Sequence, residues 1–266
     1  MSSDINQSYL LREQYQDASN YAARVRLSTR FRTNPGSFNR WVFERLQLAS
    51  ESRVLELGCG PGLFWLSNFD QLPADWEITL SDFSPGMLQD AQRALGERSR
   101  RFSFQVIDAQ SIPFADASLD VVIANHMLYH VPDRPRALAE IRRVLKPDGR
   151  LFATTVGDTH MREVRELVRR VVGSAHARPP ATAAFTLENG AAQLAAAFSS
   201  VTLERFDDAL LVTEVQPILD YLLSGSAKRV LMGDTLERVR AALEEELAAR
   251  GAVHISKESG LFTASP

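Results

Sequence analysis

Short apolar runs alternate with amphipathic segments along the middle of the chain. β-branched and aromatic residues dominate the apolar runs, as the pleated surface of a buried sheet favours. The segments between them place apolar residues at helical spacing. This order predicts an α/β protein with a doubly wound parallel sheet. The predicted strands are residues 53–57, 76–80, 102–107, 119–124 and 150–155.

Two of the intervening helices carry clear start signals. Ser84 is followed by Pro85, a capping residue and then a proline at the first helical position. Asp133 precedes a second amphipathic segment, which Pro147 and Gly149 bring to an end. Both patterns predict helices on the faces of the sheet.

The flanking segments contain further elements. Residues 1–50 are predicted to be helical, and a helix is expected over 158–173. The C-terminal part predicts a short helix near 187–197, a strand pair at 201–206 and 209–213, a helix capped by Asp234 and ended by Gly251, and a last strand at 253–263 with a turn at 257–260.

Composition and charge exclude several classes of protein. The net charge of -3 lacks the basic excess of a nucleic-acid binder. No apolar run reaches the length of a membrane span, and the polar start shows no secretion signal. The single cysteine, Cys59, can form neither an internal disulfide nor a cysteine-rich zinc site, so no metal is expected. These features favour a cytoplasmic protein.

A glycine-rich loop follows the first predicted strand. Gly58, Gly60 and Gly62 have the spacing G-x-G-x-G. Glycine permits a left-handed backbone and, lacking a Cβ, lets a ligand lie against the main chain. A helix predicted after Pro61 would direct its free N–H groups at that ligand. The loop therefore indicates a binding site at the carboxyl end of the strand.

The spacing of the loop argues against a dinucleotide. A pyrophosphate site has the pattern G-x-G-x-x-G, whereas the third glycine here comes one residue early. Glu56 also lies two residues before Gly58, where its carboxylate would repel a phosphate. A cationic ligand that carries an amino group suits the loop better.

Acidic residues follow the next two predicted strands. Asp82 comes 20 residues after Gly62, where Rossmann-type sites hold ribose hydroxyls. Asp108 closes the third strand and can accept a hydrogen bond from an exocyclic amine, with the backbone N–H of Ala109 beside it. Ligands of open α/β sheets bind just outside the carboxyl ends of the strands, so these residues predict one shared site.

Together, Glu56 to Gly62, Asp82, Asp108 and the segments 125–133 and 145–149 resemble the motifs of class I, Rossmann-like S-adenosylmethionine-dependent methyltransferases, of the small-molecule, type 11-like family. The resemblance covers about residues 51–157. It implies a single domain over 1–266 with a mostly parallel seven-stranded sheet. That domain would comprise an N-terminal helical cap (1–50), a cofactor-binding core (51–157), a substrate lid inserted after strand 5 (158–195) and a completion of the sheet (196–266).

The resemblance also implies S-adenosyl-L-methionine as the cofactor and S-adenosyl-L-homocysteine as the product. The glycine loop would line the methionine, Asp82 the ribose, and Asp108 and Ala109 the adenine, with one cap arginine on the methionine carboxylate. The implied cofactor-binding residues are Glu56, Gly58, Cys59, Gly60, Gly62, Asp82, Phe83, Met87, Asp108, Ala109, Gln110, Asn125 and His126, with Tyr21 and Arg30 from the cap.

Methyl transfer is expected by in-line displacement onto a small-molecule acceptor, with alignment as the main catalytic device. A general base is needed only where the acceptor must lose a proton, and His126, His130 and His160 are the candidates. Methylation of RNA, tRNA or protein, cofactor binding without transfer, and aminopropyl transfer are alternatives. The charge argues against a nucleic-acid partner, and the sequence leaves the oligomeric state open.

Overall fold

The apolar runs of the sequence form one seven-stranded sheet. The computed structural model describes residues 19–173 and 181–266, without the side chains of residues 19–21, 181 and 226. The strands lie in the order β3-β2-β1-β4-β5-β7-β6. They are β1 (Arg53–Leu57), β2 (Glu77–Asp82), β3 (Ser103–Val106), β4 (Leu119–Asn125), β5 (Leu145–Val156), β6 (Ser200–Val212) and β7 (Val253–Ser265).

The first five strands are mutually parallel, and β7 is antiparallel to both β5 and β6. The predicted fold, a doubly wound and mostly parallel seven-stranded sheet, is therefore confirmed. Strand β1 lies between β2 and β4, so the winding direction of the chain reverses at its carboxyl end. That reversal opens a crevice where ligands of such sheets bind.

Helices cover both faces of the sheet. Both predicted caps are confirmed: the N–H of Met87 donates to Ser84 Oγ at 3.4 Å, and that of Arg136 to Asp133 Oδ1 at 3.1 Å. The helices are α1 (Ser19–Phe31), α2 (Phe38–Leu46), α3 (Leu63–Asn68), α4 (Pro85–Leu95), α5 (Arg134–Val144), α6 (Arg162–Val172), α7 (Gly190–Ala195), α8 (Val215–Leu223) and α9 (Asp234–Arg250).

Apolar side chains pack into three clusters. One joins α5 and α7 to one face of the sheet, and a second joins α2, α3 and α4 to the other. The third packs α1, α6, α8 and α9 against β6 and β7. Burying these apolar faces, at about 25 cal/mol per Å² removed from water, holds the layers together.

The antiparallel strands β6 and β7, which are connected through α8 and α9, extend past the carboxyl end of β5. Val156, the last residue of β5, pairs with Ser259, whereas residues 253–258 of β7 pair only with β6. The projecting half of this strand pair contributes Leu210, Val212 and Ile255 to the third apolar cluster. The helices of that cluster therefore stand above the crevice at the carboxyl edge.

Three predictions for the C-terminal part are wrong. The expected strand pair at 201–206 and 209–213 is one strand, and β7 runs through the expected turn at 257–260. The reason is a cross-strand ion pair: Lys257 Nζ lies 2.8 Å from Asp208 Oδ2, and the two residues are register partners. The third wrong prediction is the cap of the last helix. Asp234 is its first residue, and Gly233 holds the capping position.

Candidate functional site

The loop after β1 is held in a left-handed conformation. Gly58, Gly60 and Gly62 have φ angles of +70°, +53° and +71°, which residues with a side chain rarely adopt. A Cβ added to Gly58 would lie 2.8 Å from Met127 Cβ, whereas one added to Gly60 would meet nothing within 4 Å. Gly58 thus permits close packing, and Gly60 opens onto free space.

Asp82, at the end of β2, fixes this loop. Its Oδ2 accepts the N–H of Gly60 at 2.9 Å, and its Oδ1 accepts that of Ser84 at 2.8 Å. Burial raises the pKa of Asp82, while backbone N–H groups that include these two, and that of Phe83, oppose the rise. A carboxylate has about four lone-pair positions, so it retains capacity for a hydroxyl of a ligand.

Glu56 anchors the carboxyl edge from inside the sheet. Trp65 Nε1 donates to its Oε2 at 2.5 Å, and Asn125 Nδ2 donates to its Oε1 at 2.9 Å. Thr154 Oγ1 in turn donates to Asn125 Oδ1 at 3.2 Å, which extends the chain of contacts to β5. The side chain is buried, and burial raises the pKa of Glu56 to about 7.

Asp108 is held by its neighbour Gln110. The backbone N–H of Gln110 donates to Asp108 Oδ1 at 2.9 Å, and its side-chain amide lies 3.0 and 3.1 Å from the two carboxylate oxygens. The amide oxygen of Gln110 accepts the N–H of Asp133 at 3.2 Å. Gln110 therefore orients Asp108 and ties it to the start of α5.

A cavity of about 1220 Å³ lies outside the carboxyl ends of the strands. It exceeds the roughly 300–1,000 Å³ typical of a site for one small ligand, so it has room for two. Its lining includes most of the predicted cofactor-binding residues: Glu56, Gly58, Cys59, Gly60, Asp82, Phe83, Met87, Asp108, Ala109, Asn125 and His126.

Among the residues that the structure describes, three predicted cofactor-binding residues do not line this cavity. Gly62 is the N-terminal capping residue of α3, and Gln110 orients Asp108. Arg30 is exposed and forms an ion pair with Glu214. The side chain of Tyr21 lies outside the described part of the structure.

All three candidate bases line the cavity. The N–H of His126 lies 3.1 Å from both the carbonyl oxygen and Oγ1 of Thr154, and its φ is +50°. The ring of His130 lies edge-on to Tyr129 with 4.5 Å between centroids. Burial, as the largest cause, lowers the pKa of His126 to about 4 and those of His130 and His160 to about 3. The three rings are therefore neutral near pH 7 and are weak bases.

The structure adds site residues that the sequence analysis missed. Lys257 lines the cavity, and its Nζ lies 2.5 Å from Ser28 Oγ as well as 2.8 Å from Asp208 Oδ2. Arg165 of α6 also lines it. No signal in the sequence separates them from their neighbours, because Arg165 is one of several charged residues of α6 and Lys257 lies in the segment that was predicted as a turn.

Across the described ranges, 19–173 and 181–266, no three histidine, cysteine, aspartate or glutamate side chains are grouped to hold a metal ion. Within the same ranges, no helix combines the length and apolar character needed to cross a membrane.

The first prediction separates the roles of Gly58 and Gly60. Gly58→Ala should lower the free energy of unfolding by about 2–5 kcal/mol, because a left-handed Cβ costs ~1–2 kcal/mol and the overlap with Met127 adds ~1–3 kcal/mol. Gly60→Ala should lose only the ~1–2 kcal/mol of backbone strain. Urea unfolding measures both. Gly251→Ala is the matched control, because Gly251 has a left-handed backbone with a φ of +74° and open space around the added Cβ. Equal losses in all three variants would contradict the close contact at Gly58.

The second prediction concerns Glu56 and pH. Its folded pKa of about 7 lies above the ordinary value of 4.5, so the folded state binds more protons between these values. The stability that Glu56 contributes is present below about pH 4.5 and is lost as the pH rises through 7. Between pH ~5 and ~8, the wild type should lose about 2–3 kcal/mol relative to Glu56→Gln.

Urea unfolding at the two pH values tests this difference. Any constant cost of the amide cancels in the comparison, and the neutral histidines act equally on both proteins. Glu97→Gln, at a carboxylate that is 83% exposed, is the control and should show no such divergence. A parallel response of the wild type and Glu56→Gln would contradict the buried, protonated carboxyl.

Comparison with known proteins relates the middle of the chain to a family. Residues 55–153 match the family model described as a methyltransferase domain. A malonyl-[acyl-carrier protein] O-methyltransferase of Legionella pneumophila is 33% identical over 47% of this chain and 44% of its own length. A demethylmenaquinone methyltransferase of Lactiplantibacillus plantarum is 35% identical over 44% of this chain and 51% of its own. The chain thus spans about half the length of the curated relatives it matches.

The fold has solved counterparts. Phosphoethanolamine N-methyltransferase 2 of Haemonchus contortus, solved with phosphomonomethylethanolamine and S-adenosylhomocysteine, aligns with a TM-score of 0.58 at 19% identity, over 97% of this chain and 60% of that one. At that identity the likeness shows the fold alone. Residues 55–153 thus resemble a methyltransferase domain, and the seven-stranded sheet has the fold of this Rossmann-like methyltransferase.

Proposed function

We propose that the protein binds S-adenosylmethionine and transfers its methyl group to a small-molecule acceptor. The observation that carries the proposal is the meeting of the open glycine loop with Asp82, Asp108 and Asn125 around one cavity. The names of the curated relatives support this acceptor class, since one acts on demethylmenaquinone and another on a malonyl group carried by acyl-carrier protein.

The residues present fit the cofactor. Gly60 offers an open backbone surface on which the methionine part would lie, and Asn125 stands beside it. Asp82 retains lone pairs for the ribose hydroxyls, and Asp108 with the N–H of Ala109 would hold the adenine. Phe83 and Met87 would flank the adenine ring. When bound, S-adenosylmethionine supplies a methyl group already activated on a sulfonium.

The protein's own contribution is alignment of the two reactants within the cavity. Holding both reactants in line is worth up to about 7–11 kcal/mol of the barrier. His126 and His160 line the cavity as neutral rings with pKa values of about 4 and 3, so they suit hydrogen bonding to the acceptor better than proton removal. In-line displacement with alignment as the main device is therefore the mechanism we propose.

Calorimetry and mass spectrometry test the function. Calorimetric titration should show that the purified protein binds S-adenosylmethionine and S-adenosylhomocysteine. Incubation with methyl-labelled cofactor and a small-molecule extract should then yield labelled products by mass spectrometry, and added tRNA should not compete. Lack of cofactor binding would overturn the proposal, and binding without transfer in any fraction would favour a non-catalytic role.

The third prediction concerns Asp82. Asp82→Asn should weaken S-adenosylhomocysteine binding by about 1–3 kcal/mol, the usual effect of losing a hydrogen bond to a charged group. Since Asp82 also holds the loop, binding of adenosine is compared with that of 2′,3′-dideoxyadenosine. The wild type should prefer adenosine, and the variant should lose that preference. Asp70→Asn, at a carboxylate that is 67% exposed, is the control. An unchanged preference in Asp82→Asn would exclude ribose recognition by Asp82.

A further inference from the structure

The two ends of the cavity differ in charge. The end at strands β1, β2 and β3 carries the carboxyl groups of Glu56, Asp82 and Asp108. Elsewhere among the described residues, the lining has seven arginine and lysine side chains against the carboxylates of Glu166 and Asp208. A ligand with net positive charge is favoured at the first end, and one with net negative charge at the second.

Arg165 holds a fixed position at the cationic end. Its guanidinium donates to the carbonyl oxygen of Asp158 at 2.6 Å and to that of His160. Both acceptors are neutral, so these bonds orient the guanidinium without cancelling its charge. An arginine presents five N–H donors in a planar fork that matches an oxyanion.

Lys257 is held in place on β7 by contacts with β6 and α1. Its Nζ contacts Ser28 Oγ and Asp208 Oδ2, which accounts for two of the three donors of an ammonium group. Asp208 also accepts the N–H groups of Asn34 at 3.1 Å and Ala209 at 2.9 Å, through Oδ1. Since that carboxylate is shared among three donors, it neutralises Lys257 only in part.

His160 neighbours both cations, because its carbonyl oxygen accepts from Arg165 and its ring contacts the backbone of Glu258, the residue after Lys257. Its Nδ1 is 3.2 Å from the Glu258 nitrogen and 3.1 Å from the Glu258 carbonyl oxygen, and that oxygen already accepts the N–H of Gly157 at 3.2 Å. We therefore assign Nδ1 as the acceptor, which leaves the proton on Nε2. Burial first, and then charges that include Lys257 and Arg165, lower the pKa of His160 to about 3, so the ring stays a neutral donor.

We propose that Arg165, Lys257 and the Nε2–H of His160 form an oxyanion site, and that the methyl acceptor carries a carboxylate or phosphate group that binds there. The inference rests on the proposed function. A bound cofactor carries a net positive charge and suits the acidic end, and an anionic acceptor suits the cationic end beside it. The charge of each ligand would thereby select its own half of the cavity.

Simple anions test the site with the wild-type protein. Acetate and inorganic phosphate are titrated into the S-adenosylhomocysteine complex, and the His160 ring signals are followed by NMR, assigned with His160→Gln. Both anions should shift these signals, and acetamide, the neutral isostere of acetate, should not. Identical behaviour of acetate and acetamide, or silence with both anions, would overturn the inference.

The fourth prediction uses Arg165→Met. It should weaken acetate binding by about tenfold or more, as expected for loss of a charge-assisted hydrogen bond. Arg165→Lys should retain part of the affinity, which separates charge from a mere loosening of the His160 backbone. Arg142→Met, on α5 and outside this cavity, is the matched control. Full acetate affinity in Arg165→Met would contradict the site.

A further arm distinguishes the two sources of an oxyanion. If the anion is the acceptor's own, Arg165→Met should bind S-adenosylhomocysteine and methylthioadenosine, which lacks the amino-acid carboxylate, as tightly as the wild type does. Selective weakening of S-adenosylhomocysteine would assign Arg165 to the cofactor and overturn the inference. Failure of the wild type to bind either compound would instead defeat the proposed function itself.

Discussion

One buried carboxyl group organises the carboxyl edge of the sheet. Glu56 is 1% exposed and sits where β1 meets the glycine loop. Its two oxygens bind Trp65 of α3 and Asn125 of β4, and Asn125 reaches Thr154 of β5. Three strands and a helix thus converge on one buried carboxyl group, and leaving that group without hydrogen-bond partners would cost free energy of folding. The strand ends keep a common level because these bonds must all be made.

The same constraint explains the division of work between the acidic residues. Both oxygens of Glu56 accept hydrogen bonds from protein donors, so its main role is structural. Asp82 uses part of its hydrogen-bonding capacity to accept the N–H groups of Gly60 and Ser84. Neither residue faces the ligand as an isolated charge. The loop is therefore set before any ligand arrives, and the ordering cost is met in folding rather than in binding.

Local signals let the sequence predict the glycine-loop end of the cavity well. The strand at 53–57, the caps at Ser84 and Asp133, and the positive φ of the glycines depend on neighbouring residues, and the structure bears out these features. Gln110 and Arg30 were predicted to bind the cofactor from their positions in the sequence alone. In the structure Gln110 contacts Asp108, and Arg30 pairs with Glu214. A side chain's direction is decided by partners, which spacing does not reveal.

The end of the cavity at β6 and β7 depends on contacts between distant segments. Asp208 and Lys257 are charged residues inside apolar runs, and each run taken alone predicts a turn there. In the structure they are register partners that stabilise each other across the antiparallel strands β6 and β7. Ser28 completes that contact from 229 residues away. Desolvation of Lys257 and Asp208 costs free energy, and that cost is offset only when β6 and β7 pair and bring the two charges together. The pair therefore places a cation in the lining of the cavity and also extends the strands past β5. One contact thus contributes to both the shape and the charge of this end of the cavity.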